Sequence, residues 1–158
     1  MPEMLGGNLM TRSALALIQS TFARIACAQQ TADHLRALRE SVDQACVLPP
    51  AEAWEGRAAA HAHFHCLLAD ATGTPGFALL ARFINGSLHE LIVQAGPSAE
   101  DLIIASHRRL LGHLEARDAD AAAHEMEDHV SRLSRTGGQR TAGDRADASG
   151  PNTPGAIL

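Results

Sequence analysis

Four histidines occupy positions where helical periodicity predicts apolar side chains. In the segment AAAHAHFHCLLAD, residues 58–70, His61 and His65 are four residues apart and therefore share one face of a helix. At about 100° per residue, His107 and His129 lie on the apolar stripes of two later helices. The pattern thus predicts four imidazoles, from three helices, that point into one core. The remaining five histidines are expected at the surface or its boundary: His34, His63, His89, His113 and His124.

Buried imidazoles need partners, and a shared metal ion is one way to supply them. A buried polar group without a hydrogen bond costs about 1–3 kcal/mol, which a marginally stable domain does not tolerate four times. Neutral imidazole is the most common metal ligand, and a pair four residues apart supplies two ligands from one helix. Alternatively, each ring is bonded separately to a carbonyl or hydroxyl group. Two interpretations therefore stay open: separately bonded core histidines, or a metal site formed by His61, His65, His107 and His129.

Helices are the elements that must position these rings. The chain of 158 residues is rich in Ala and Leu and contains no Tyr and one Trp, which favours helix over sheet. Apolar residues recur at three- and four-residue spacing in segments separated by short breaks, so neighbouring helices should pack antiparallel. We predict an all-α antiparallel bundle of about six helices. The first helix is predicted at residues 9–29, and the second is capped by Thr31 and closed by Pro49 and Pro50. The third and fourth are predicted at about residues 51–71 and at residues 76–95. The fifth runs from a capping box of Ser98 and Asp101 to about Arg117, and the sixth is capped by Asp118 and ends near Leu133.

The composition of the whole chain and of its two ends leads to four further predictions, on disorder, DNA binding, cysteine chemistry and location. Residues 1–8 are expected to be flexible, and residues 134–158, with few apolar side chains, to be disordered. A net charge of −5 provides no electrostatic footprint for nucleic acid. The three cysteines lack CxxC spacing and are expected to be free thiols in a reducing cytoplasm. No segment resembles a signal peptide or a membrane span, so we predict a cytoplasmic domain without membrane contact.

Two segments resemble a known family. HAHFHCLLADATGTP and, later, SHRRLLGHLEARDADAAAHEMEDHV are similar to the C-terminal effector-binding domain (FCD domain) of GntR-type transcription regulators of the FadR subfamily. That family has a Phe-His pair before a Leu-rich turn, matched here by Phe64 and His65. It has two later histidines twenty-two residues apart, matched by His107 and His129. The resemblance covers about residues 9–133.

The resemblance implies a bundle with a central cavity that holds a divalent metal, often zinc or nickel, bound by one Asp and three His. Such a metal helps to bind a small carboxylate effector. The three His positions correspond to His65, His107 and His129, whereas His61 stands where the family has Asp. The acidic residue and arginine usual in the first helix are missing, so Arg12 and Arg82 are the candidates for effector binding.

We therefore expect a metal-dependent sensor of a small organic acid and not an enzyme. By resemblance, we also expect the chain to form a homodimer. DNA would be bound only through a winged helix-turn-helix domain, which these 158 residues do not contain, so the chain is either a fragment or a free-standing domain. One alternative is a hydrolase-like enzyme in which the metal activates water. No inward-facing acidic residue is expected near the histidines, and Glu125 is only a weak candidate for a base. The other alternative is a metal-free helical interaction module.

Overall fold

Six α-helices make up almost all of the part of the chain that the computed structural model describes, residues 10–49 and 53–147. They are α1 (Arg12–Gln29), α2 (Ala32–Val47), α3 (Trp54–Asp70), α4 (Pro75–Ala95), α5 (Glu100–Glu115) and α6 (Ala119–Asp147). No strand occurs in those residues, so the all-α prediction is confirmed. Among the described residues, no helix has the length and apolar character needed to cross a membrane. The three cysteines are free, as predicted.

Two of the three predicted side-chain caps are present. The side chain of Thr31 accepts a hydrogen bond from the first turn of α2, and that of Asp118 does the same for α6. The predicted capping box at Ser98 is wrong. Pro97–Ala99 forms a 3₁₀ turn that runs directly into α5, which begins at Glu100 without a side-chain cap. Because Ser98 lies inside this turn, its hydroxyl does not precede the helix in the way that a cap requires.

The sixth helix is longer than predicted. It continues past Leu133 to Asp147, so the first part of the predicted disordered tail is helical. Gly137 is buried against α4, where a Cβ on Gly137 would lie 3.4 Å from the Cβ of Gln94. Packing against α4 therefore supports a segment that its composition does not favour. Residues 148–158 and the predicted flexible segment 1–8 lie outside the described residues.

A polar layer crosses the bundle between two apolar clusters. One cluster includes Phe22, Leu38, Phe64, Leu68, Leu110, Leu114 and Met126. The other includes Leu15, Ile84, Leu88, Ile92, Ile103, Val130 and Leu133. Between members of the two clusters, four helices each contribute buried polar side chains: Gln19 on α1, His61 and His65 on α3, His107 on α5 and His129 on α6. These side chains form a polar layer between the two apolar clusters.

Candidate metal and effector site

Three imidazoles from three helices meet in this polar layer. His65, His107 and His129 are each at most 2% exposed. One ring nitrogen of each lies within 4.8 Å of the corresponding atoms of the other two. The ring centroid of His107 is 5.1 Å from that of His65 and 5.1 Å from that of His129. The predicted convergence of these three rings is confirmed.

The hydrogen bond between His65 and Gln19 determines which nitrogen of His65 is available to a ligand. Nδ1 of His65 lies 3.0 Å from Oε1 of Gln19. Because an amide oxygen only accepts, Nδ1 carries the hydrogen and Nε2 keeps its lone pair. That Nε2 lies 3.3 Å from Nε2 of His107, which donates a hydrogen bond to it as long as no cation lies between them. Two nitrogen ligands on one tetrahedral zinc ion, each about 2.0–2.1 Å from the metal, are separated by about 3.3–3.4 Å. This nitrogen pair therefore already has the spacing that a shared cation requires.

His129 supplies a third nitrogen that the fold leaves without a partner. Its Nε2 is buried and has no hydrogen bond among the described residues. Burial lowers the pKa of His129 to about 3, although the nearby Glu125 carboxylate acts in the opposite direction. Burial also lowers the pKa values of His65 and His107 well below the ordinary value, and the surrounding imidazoles add to this effect. All three rings are thus neutral at pH 7, which is the state that ligates metals. The residues fit a divalent cation.

His61 is buried beside these three rings, but its Nε2 already has a partner. It lies 3.0 Å from Oε1 of Glu100, the first residue of α5. Its ring centroid is 6.1 Å from that of His107, and it is not one of the three converging histidines. Sequence reasoning missed Glu100, because an acidic residue in the first turn of a helix is ordinarily explained by the helix dipole. The proposed role of His61 as a metal ligand stays a prediction.

Glu125 corrects the expectation that no inward acidic residue lies near the histidines. It is 7% exposed, and its carboxylate accepts hydrogen bonds from Ser106 at 2.6 Å and from Arg109 at 2.9 and 3.0 Å. Burial raises the pKa of Glu125, but the hydrogen bonds from Arg109 and Ser106 outweigh this and keep the pKa below the ordinary value. The carboxylate is therefore ionised and already committed to partners within the fold.

The two arginines predicted to bind the effector lie at the surface, outside the buried cluster. The Arg82 side chain is 60% exposed, and its guanidinium bonds to the Ala78 carbonyl at 3.1 Å. Arg12 is exposed and bonds to the carbonyl oxygen of Ser134 at 3.4 Å. A different arginine lies closer to the histidines. Arg132 and His129 line the same narrow cleft between α5 and α6, together with Ala99, Leu102, Ile103, Leu133 and Thr136.

The fold and this site together define a class of protein: an all-α domain with a buried polar centre, in which three histidine nitrogens lie close enough together to hold a metal ion. The family model described as FCD domain matches residues 12–132, and the chain therefore belongs to this family, the C-terminal effector-binding domains of GntR/FadR-type regulators. Comparisons with curated proteins and with solved structures found no significant match. The matched region begins at the start of α1 and ends within α6, so it contains every residue of the candidate site.

Proposed function

We propose that this domain is a metal-dependent sensor of a small carboxylate and that it controls a GntR/FadR-type regulator. His65, His107 and His129 would hold a divalent ion such as zinc or nickel, with His61 as a fourth donor. The observation that carries the proposal is the buried Nε2 of His129, which has no hydrogen-bond partner in residues 10–49 and 53–147 and lies beside two neutral imidazoles. A fold in which these rings were separately bonded would give that nitrogen a protein partner. When bound, the metal offers open coordination positions to an anionic oxygen of the effector.

The surroundings of the site support a sensor over a metal hydrolase. A hydrolase needs a carboxylate or imidazole free to take a proton from water. The buried carboxylate nearest in sequence to a ligand, Glu125, instead accepts hydrogen bonds from Ser106 and Arg109. Those bonds favour its charged form and make it a weak base. We therefore infer binding without turnover.

The cleft beside His129 is the route by which an effector would reach the site. In this conformation it admits little more than a water molecule, so binding would have to widen it. Arg132 forms ion pairs with Glu125 and Asp128 at 3.6 Å, beyond hydrogen-bond distance, so an effector carboxylate would compete with those two carboxylates for its donors. Its position on the cleft makes it a better-placed partner for a carboxylate than Arg12 or Arg82. Widening the cleft would separate α5 from α6, and the effector would favour that arrangement by its higher affinity for it.

The output would pass to DNA through a partner domain. The proposed regulator is a cytoplasmic homodimer, in which rearrangement of α5 and α6 changes how two winged helix-turn-helix domains are held. The net charge of −5 argues against direct DNA binding by this chain.

Metal content and effector binding test the proposal. Protein purified without an affinity metal column should contain about one divalent ion per chain, and His107→Ala and His129→Ala should lose it. The matched controls are His113→Ala and His124→Ala, which change a histidine on the same two helices outside the buried set. Small carboxylates should raise the melting temperature of the metal-loaded protein, and Arg132→Gln should reduce that rise without loss of metal. Metal retained by His107→Ala and His129→Ala, or the same loss in all four variants, would contradict the proposal.

A further inference from the structure

Two partly buried side chains, Arg57 on α3 and Glu100 on α5, form a hydrogen-bonded group with His61. Arg57 and His61 are one turn apart on α3, and both bind the carboxylate of Glu100. Nη2 and Nε of Arg57 donate to Oε1 of Glu100 at 2.7 and 3.0 Å, and Nε also lies 3.2 Å from Oε2. The side chains of Arg57 and Glu100 are only 15% and 18% exposed. An ion pair shielded from water to this degree holds its geometry better than a surface pair.

The direction of the hydrogen bond to His61 follows from this arrangement. A carboxylate that already receives a guanidinium acts as an acceptor, so Nε2 of His61 donates to it at 3.0 Å. The remaining nitrogen of a neutral ring, Nδ1, then carries the lone pair. Glu100 thus selects the tautomer of His61, as Gln19 selects that of His65.

We propose that Arg57 and Glu100 are positioning residues that hold His61 as an Nδ1 donor beside the three converging histidines. This inference rests on the proposed metal site and adds two residues to it. A ligating histidine that donates its other N–H to a carboxylate is oriented and made more basic. Through its hydrogen bond to His61, Glu100 supplies to the metal site the negative charge that an aspartate at position 61 would supply directly. The ring centroid of His61 lies 6.1 Å from that of His107, and His61 is outside the set of ring nitrogens that lie within 4.8 Å of one another, so it stands at the edge of the cluster and would have to move inward to bind the ion.

The first test measures metal affinity. Glu100→Gln keeps the size of the side chain and removes its charge, and it should weaken zinc binding about 10–100-fold in competition with a chelator. Asp101→Asn is the matched control, because Asp101 is the next residue in the same helical turn and is exposed. It should change affinity less than twofold. If Glu100→Gln proves too unstable to study, Arg57→Lys can replace it. This variant keeps the positive charge but loses the paired hydrogen bonds that Nε and Nη2 of Arg57 donate to Glu100, and it should weaken zinc binding at least threefold.

The second test asks whether Glu100 acts through His61. In a His61→Ala background, Glu100→Gln should cause no further loss of affinity, since the ring that it orients is gone. The visible spectrum of the Co²⁺-loaded protein should change in His61→Ala, because one nitrogen ligand is removed. An equal loss in both backgrounds, or an unchanged Co²⁺ spectrum, would overturn the inference. If His107→Ala and His129→Ala lose metal but Glu100→Gln does not, this inference fails alone. If those two variants also retain metal, the proposed function fails with it.

Discussion

Replacing His129 by leucine should separate the stability of the metal-free protein from metal binding. Nε2 of His129 is buried without a hydrogen bond in the described part of the chain, so loss of this nitrogen leaves no hydrogen-bond partner of Nε2 unpaired. Leucine is similar in size and a better helix former, and the position lies between Met126 and Leu133 on α6. His129→Leu should therefore stabilise the metal-free protein while it abolishes metal retention.

The magnitude follows from the desolvation of the unpaired nitrogen. An unsatisfied buried polar atom costs about 1–3 kcal/mol, and the substitution recovers that amount in the metal-free state. In a domain of this size the melting temperature should rise by about 3 °C for each kcal/mol. Wild-type protein should instead gain stability when metal is added, whereas His129→Leu should not respond to metal.

The assay is urea unfolding with and without a chelator, followed by circular dichroism. His124→Leu is the matched control, because His124 lies on the same helix but is exposed, and it should change the free energy of unfolding by less than about 0.5 kcal/mol. A metal-free His129→Leu protein less stable than wild type by 1 kcal/mol or more would refute the reasoning. The imidazole would then contribute to folding through a partner other than a metal.

Two further predictions concern acid and the end of α6. Without metal, the free energy of unfolding should fall by about 2 kcal/mol from pH 7 to pH 5 on account of His129, because the unfolded ring binds a proton near pH 6.5 and the folded ring only near pH 3. His129→Leu should reduce this dependence by that amount, and an unchanged slope would contradict it. Gly137→Val should lower the free energy of unfolding, measured by thermal unfolding, by about 1–3 kcal/mol, because the valine side chain would press on Gln94. Gly138→Val, where a Cβ meets open space, should cost far less, and equal losses would show that α6 is not packed there.

The burial of each histidine could be predicted because the direction of a side chain on a helix is a local property. Every ring in the predicted inward set (His61, His65, His107 and His129) is buried. None of the other five is buried. Each prediction needed only the angular position of one histidine around its helix, compared with that of the apolar residues in the same helix. Helix number, most helix bounds and the capping by Thr31 and Asp118 follow from equally local signals.

The partners of those rings depend on how helices are shifted relative to one another, and periodicity carries no information about that shift. Whether Glu100 meets His61, or Gln19 meets His65, depends on the heights at which α5 and α1 lie against α3. The end of α6 shows the same limit. Gly137 lowers the helical propensity of its segment, yet the absence of a side chain is what lets α6 approach α4 closely. At Gly137 the low helical propensity of glycine disfavours the helix, whereas packing against α4 favours it. Packing outweighs propensity because the close contact between α4 and α6 is buried.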